Sequence, residues 1–286
     1  MLTSVELAGR PEFRAWSVTC RDDHTGWSAP ETHADHRIVL VRRGRFSRTV
    51  AGRTQTLDPT VAYLTVPGEE ERFAHPSGGD ECTSALCTPA LWQSMAGDRP
   101  LARPTVYVDA ALDLAHRRFV AAARCGDVDY AATERLVSLL AVALARAAAG
   151  PTPATDRPAD RSVVTAAREA ILADHPASAA LLPLAGLLGV SPYRLSRAFT
   201  REFGVSLTAY RNRVRVGRAL DRLGAGETDL AALAADLGFA DQPHMTRTIR
   251  NQLGHTPTGV RALLTDRRLG ASYHREPTGT RYASAR

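Results

Sequence analysis

Residues 188–199, LGVSPYRLSRAF, and residues 237–249, LGFADQPHMTRTI, are two versions of one pattern. Gly189 and Gly238 stand 49 residues apart, and Gly204 and Gly254 stand 50 apart. In each copy an Ala/Leu-rich segment runs into a glycine turn, then a capping residue, then a second amphipathic segment. Ser191 suits an N-cap and Pro192 the first helical position behind it; Asp241 is the corresponding cap in the second copy. Glycine lets the chain bend sharply between two short helices. The spacing predicts two helix-turn-helix units in one chain.

The second helix of each unit divides into two faces. Leu195, Phe199 and Phe203 recur every four residues in the first copy, as Met245, Ile249 and Leu253 do in the second, and are expected to pack inward. Left outward are Tyr193, Arg194, Ser196, Arg197, Thr200 and Arg201, then Gln242, His244, Thr246, Arg247 and Arg250. Guanidinium, amide and hydroxyl groups are the chemistry that base edges and phosphates accept. Between the copies, Leu207 to Leu223 reads as a connecting helix packed through Leu207, Tyr210, Val214 and Leu223.

Charge is distributed unevenly. No lysine occurs, so all 36 basic residues are arginine. Residues 1–155 carry 17 arginines against 18 carboxylates, whereas residues 156–286 carry 19 against 12. A basic back half suits a polyanionic partner. Apolar content of 44% is ordinary for a globular protein. The N-terminus has no signal-peptide core. The most apolar stretch, Leu136 to Ala149, is too short for a bilayer and contains Arg146, so a cytoplasmic protein with no membrane partner is expected.

Residues from about 162 to 264 resemble the DNA-binding domain of the AraC/XylS family. The resemblance rests on SPYRLSRAF from Ser191, on GFADQPHMTR from Gly238, on Arg215 and Ala219 in the connecting helix, and on GHTPTGVR from Gly254. It implies base contacts from Tyr193, Ser196 and Arg197, and from Gln242, Pro243, His244 and Arg247. Pro243 replaces a polar residue and makes no side-chain hydrogen bond; Ile249 replaces a phenylalanine. The function implied is that of a transcription regulator on double-stranded promoter or operator DNA, more often an activator, with RNA polymerase as a further partner in that case. No cofactor and no enzymatic activity are implied.

From Phe13 to Cys87 the sequence alternates short apolar runs with turn signals: Ile38 to Val41, a turn at 42–45, Phe46 to Val50, a tip at Ala51-Gly52-Arg53, Asp58-Pro59, Val61 to Val66, then Pro67-Gly68. Such spacing predicts a small β-sandwich or barrel. The front segment also resembles the cupin-like domain that often precedes this DNA-binding domain, through THADH from Thr32, Gly44, LDPT from Leu57 and VPGEEERF from Val66. Asp109–Arg124 and Tyr130–Ala148 then read as helices. Leu136, Leu140 and Leu144 make an apolar stripe that predicts a homodimer contact, unless their own β-domain covers it. Three prolines between Gly150 and Pro158 predict a linker.

The expected organisation is α+β: a cupin-like β-barrel or sandwich with a helical dimerisation segment over 1–150, a linker over 151–160, an all-α double helix-turn-helix domain over 161–265, and a disordered tail over 266–286. The front domain is expected to sense a small-molecule effector, with Trp16, Trp27 or Tyr63 among its lining, or to dimerise. His33, His36 and Cys82 are candidate metal ligands, and Cys20, His75 and Cys87 add further donor atoms. Two alternatives stay open: a cupin-type metal-dependent enzyme joined to a helical module, and a metal or thiol sensor acting through Cys82 or Cys87. Against the first, the segment after Pro67-Gly68 is Glu69-Glu70-Glu71-Arg72, with no histidine.

Overall fold

The computed structural model describes residues 2–21, 25–97, 104–149 and 158–265. It divides into two compact units, one containing residues 1–150 and the other residues 151–265. The expected disordered tail over 266–286 lies outside the described residues, as does most of the expected linker.

The first unit is built from β1 (Leu2–Arg10), β2 (Phe13–Cys20), β3 (Glu31–Thr32), β4 (His36–Arg43), β5 (Phe46–Val50), β6 (Arg53–Leu57), β7 (Val61–Thr65), β8 (Glu70–Ala74), β9 (Asp80–Cys87) and β10 (Thr105–Tyr107), with helices α1 (Pro89–Ala96), α2 (Ala110–Arg124) and α3 (Thr133–Ala149). The strands form two sheets, ordered β1-β2-β9-β4-β7-β10 and β3-β8-β5-β6, with every pairing antiparallel. This two-sheet architecture is the sandwich expected. Strand β1, strand β10 and helix α1 had no clear periodic signal and were missed.

Each face of the six-stranded sheet meets a different partner, which explains the unbroken apolar run Ile38 to Val41. Ile38 and Leu40 join Ala62, Leu64 and Ala85 in a core shared with Leu112 and Phe119 of α2 and Leu136, Leu139, Leu140 and Ala143 of α3. Val39 and Val41 lie on the opposite face, which side-chain alternation turns toward the second sheet. That side carries a buried fork: Arg48 donates to Glu71 through Nη2–Oε1 at 2.8 Å and Nε–Oε2 at 3.2 Å. The guanidinium lies 4.4 Å from the centre of the Tyr63 ring.

The leucine stripe of α3 corrects an expectation. Leu136, Leu140 and Leu144 are buried in that core, covered by their own β-domain, and make no face for a second chain. What α3 leaves exposed is a different side, with Val137 and Val142.

The second unit is helical throughout: α4 (Pro158–Leu172), α5 (Leu181–Leu187), α6 (Pro192–Phe203), α7 (Leu207–Gly224), α8 (Leu230–Asp236), α9 (Gln242–Leu253) and α10 (Pro257–Thr265). Helix α4 begins at Pro158, inside the stretch expected as linker. Proline is tolerated in a first turn, where its missing N–H would have no intrahelical partner. Helix α7 packs against α4, α6, α9 and α10. It buries Tyr210, Val214, Val216, Ala219, Leu220 and Leu223.

Candidate nucleic-acid interface

The two helix-turn-helix units, α5–α6 and α8–α9, repeat down to single hydrogen bonds. At the end of α5, Gly189 N donates to Gly186 O at 3.1 Å and Val190 N to Ala185 O at 3.1 Å. At the end of α8, Gly238 N donates to Ala235 O at 3.0 Å and Phe239 N to Ala234 O at 3.0 Å. This pair of bonds closes a helix with a left-handed residue, and φ is 63° at Gly189 and 68° at Gly238. Ser191 Oγ then accepts from Arg194 N at 3.2 Å and Asp241 Oδ1 from His244 N at 2.6 Å, so both expected caps start the second helices.

Below the turns, Leu195 and Phe199 of α6 and Met245, Ile249 and Leu253 of α9 are buried. Phe203 is only half-buried, stacked 5.1 Å from Phe199 and tilted against Tyr210 at 5.8 Å. Arg215 of α7 reaches the second turn, its guanidinium 5.5 Å from the Phe239 ring centre. A Cβ at Gly238 would stand 3.1 Å from Arg215 Nη2, whereas one at Gly189 would meet nothing within 4 Å.

The residues expected on the outer face of α6 fall into two groups. Tyr193, Arg197 and Thr200 are exposed, and Ser196 is half-buried. Arg197 Nη1 donates to Tyr193 Oη at 2.7 Å, so the ring one turn earlier steadies the guanidinium. Arg194 and Arg201 are drawn instead to Asp160 of α4, at 3.1 Å and 2.7 Å. Asp160 went unnoticed because it falls in the stretch read as linker. On α9, Gln242, Arg247 and Arg250 are exposed, and His244 and Thr246 are half-buried. His244 is partly engaged locally: its Nδ1 accepts from Ala240 N at 3.4 Å and its ring stands edge-on to Phe239. A neutral ring so bonded carries its proton on Nε2.

Other arginines of this unit serve the fold. Arg218 donates to Leu172 O at 3.0 Å and pairs with Asp174 at 3.2 Å, closing the end of α4. Arg222 pairs with Glu227 at 2.7 Å and Asp236 at 3.2 Å. Net charge therefore overstates the cations offered to a polyanion, and Arg197, Arg247 and Arg250 are the ones offered on α6 and α9.

In the β-domain the three candidate metal ligands do not converge. His36 stacks on Trp92 of α1 at 4.2 Å, on the helix-covered face of the six-stranded sheet. His33 is 3.4 Å from Arg37 Nη2. Cys82 donates to Asp80 at 2.8 Å. Cys82 pairs with Val41 across the strands and so projects from the opposite face to His36. Of the aromatics expected to line a ligand site, Tyr63 is buried beneath Arg48 and Trp27 is largely exposed. Among the described residues, no helix is long and apolar enough to cross a membrane.

Residues 184–263 match the helix-turn-helix domain family. The chain is 30% identical over 73 residues to the arabinose operon regulatory proteins of Salmonella typhimurium and Escherichia coli. The match spans 26% of this chain and about a quarter of each relative's length, 26% and 25%. Among solved structures, the chain is similar to unsaturated fatty acid-bound ToxT from Vibrio cholerae, with a TM-score of 0.38 and 12% identity over 90% of this chain and 97% of that one. It is also similar to a cupin superfamily protein from Desulfitobacterium hafniense, with a TM-score of 0.28 and 12% identity over 31% of this chain and 78% of that one. The repeated turns, caps and buried ladders of α5–α6 and α8–α9 fall on the matched segment, so residues 184–263 form a helix-turn-helix domain that carries two such units.

Proposed function

We propose that the protein is a sequence-specific, DNA-binding transcription regulator, an activator that works with RNA polymerase, and not an enzyme. One observation carries this reading: two helices of equal length and equal construction, α6 and α9, each hold an exposed arginine at the same place, Arg197 and Arg247. Helix α7 between the two units has 18 residues. At 1.5 Å per residue that is about 27 Å, a spacer of the size needed to serve successive major-groove segments, which lie roughly 34 Å apart. The base-contacting set is Tyr193, Ser196, Arg197 and Thr200 on α6 and Gln242, His244, Thr246, Arg247 and Arg250 on α9. Arg194 and Arg201, turned to Asp160, serve phosphates or the fold. The β-domain senses a small-molecule effector and supports a homodimer through the exposed side of α3 that includes Val137 and Val142. The setting is the cytoplasm.

Selection of duplexes from a random pool by the purified protein, followed by footprinting, tests this reading. The expected footprint has two protected segments one helical turn apart on one face of the DNA. A single short segment per protomer, or no enrichment, refutes it.

A further inference from the structure

A cluster at one end of the sandwich lies outside the helical unit and joins two of the further donors expected from the sequence, Cys20 and His75, to Asp80, which was not expected. Cys20 is the last residue of β2 and Asp80 the first of β9, and the two are direct cross-strand partners. His75 follows β8, which belongs to the other sheet. One donor atom from each of Cys20, His75 and Asp80 lies within 4.8 Å of the others. Both Cys20 and Asp80 are buried, and the His75 side chain is 12% exposed.

The contacts of Asp80 show that the cluster is more than a hydrogen-bonded knot. Oδ2 accepts from the Cys82 thiol at 2.8 Å. Oδ1 is buried and lies 3.0 Å from His75 Nε2, yet it makes no hydrogen bond of acceptable geometry. A buried carboxylate oxygen and an imidazole nitrogen are thus close without one donating properly to the other. A buried carboxylate also needs a compensating cation. Sulfur, nitrogen and oxygen donors converging from three chain segments are the borderline set that suits Zn²⁺.

We propose that Cys20, His75 and Asp80 bind one divalent transition-metal ion of the Zn²⁺ class, clamping the two sheets together at this end. Metal–donor bonds of about 2.0–2.3 Å set tetrahedral edges of about 3.3–3.8 Å, so the donors need close by only about 1 Å. Cys82 does not ligate; it holds Oδ2 and leaves Oδ1 for the metal. The fourth position is open to water, and binding releases the Cys20 thiol proton to solvent. The assignment is independent of whether α6 and α9 read DNA.

The test uses the full-length protein, stripped with a chelator under reducing conditions and titrated with Zn²⁺ by calorimetry and with Co²⁺ by absorption. One equivalent is expected, with a thiolate-to-cobalt charge-transfer band, visible bands of tetrahedral intensity and a raised melting temperature. Cys20→Ser should lose the charge-transfer band, and His75→Gln should weaken Co²⁺ binding at least tenfold. Cys87→Ser, altered on the helix-covered face of the sheet, should bind as the parent does. Circular dichroism of each variant establishes that it is folded. Should Cys20→Ser not fold, the His75→Gln titration and the parent's band decide. No stoichiometric uptake by the folded parent, a Co²⁺ spectrum without a thiolate band, or parental binding by folded His75→Gln would each overturn the proposal.

Discussion

Leu140→Ala decides between two roles for the α3 stripe, as a seam between chains or as part of a core. Leu140 is 1% exposed and sits in the core between the six-stranded sheet and helices α2 and α3. Truncation removes three carbons from a packed site, worth about 2.4 kcal/mol in transfer at about 0.8 kcal/mol each. Adding the cavity left behind brings the cost to about 3–4 kcal/mol, within the range for buried leucines. For a unit of this size, each kcal/mol lowers the melting point by about 2–4 °C, so a drop on the order of 10 °C is expected. Trp16, Trp27 and Trp92 all lie in residues 1–150 and the helical unit has no tryptophan, so intrinsic fluorescence follows this unit alone. Val142→Ala, altered at a position 40% exposed, should shift the same transition by about 0.5 kcal/mol or less. Sedimentation run alongside reads association. If Leu140→Ala left the tryptophan transition unmoved while splitting a dimer, the core assignment would be wrong.

Three further outcomes follow from particular side chains. Arg247→Ala should cost about 1–3 kcal/mol on a selected duplex and relax preference at one base pair; anisotropy titrations showing equal weakening on scrambled DNA would make Arg247 a phosphate contact instead. Glu71→Ala strands Arg48 inside the sandwich and should destabilise the β-domain by about 3–5 kcal/mol in urea melts, whereas a cost below about 1 kcal/mol would show that the fork is solvated. Burial holds the His116 ring down to about 3, while the unfolded chain titrates near 6.5, so protons favour unfolding between those values. Stability should fall as pH drops through that window, by about 2 kcal/mol at pH 5 from this residue, and His116→Leu should remove that share of the slope; parallel pH profiles for the two proteins would contradict it.

The double helix-turn-helix was legible because its determinants are local. A four-residue apolar spacing, a cap and a glycine lie within one short window, and the second copy repeats the window. The helix-turn-helix boundaries and both caps therefore emerged from the residue order. The β-domain was legible as a class, since turn residues at short intervals punctuate strands wherever those strands pair. Its membership was not: β1 carries no clean alternation, and β10 is three residues long.

What the residue order left open was every question of what faces what. A strand states that neighbouring side chains point to opposite faces, but not which face is buried against what, so His36 and Cys82 looked like partners until pairing put them on opposite sides of one sheet. Cys20 and Asp80 are 60 residues apart in sequence, yet adjacent because β2 runs beside β9 in one register. The α3 leucines announced that they must be covered; only the packed sheet shows by what. Asp160 took two arginines from the expected DNA face because α4 lies against α6. Helical periodicity and capping are properties of adjacent residues, whereas strand register and the pairing of buried charge are set by segments that meet only once the chain has folded.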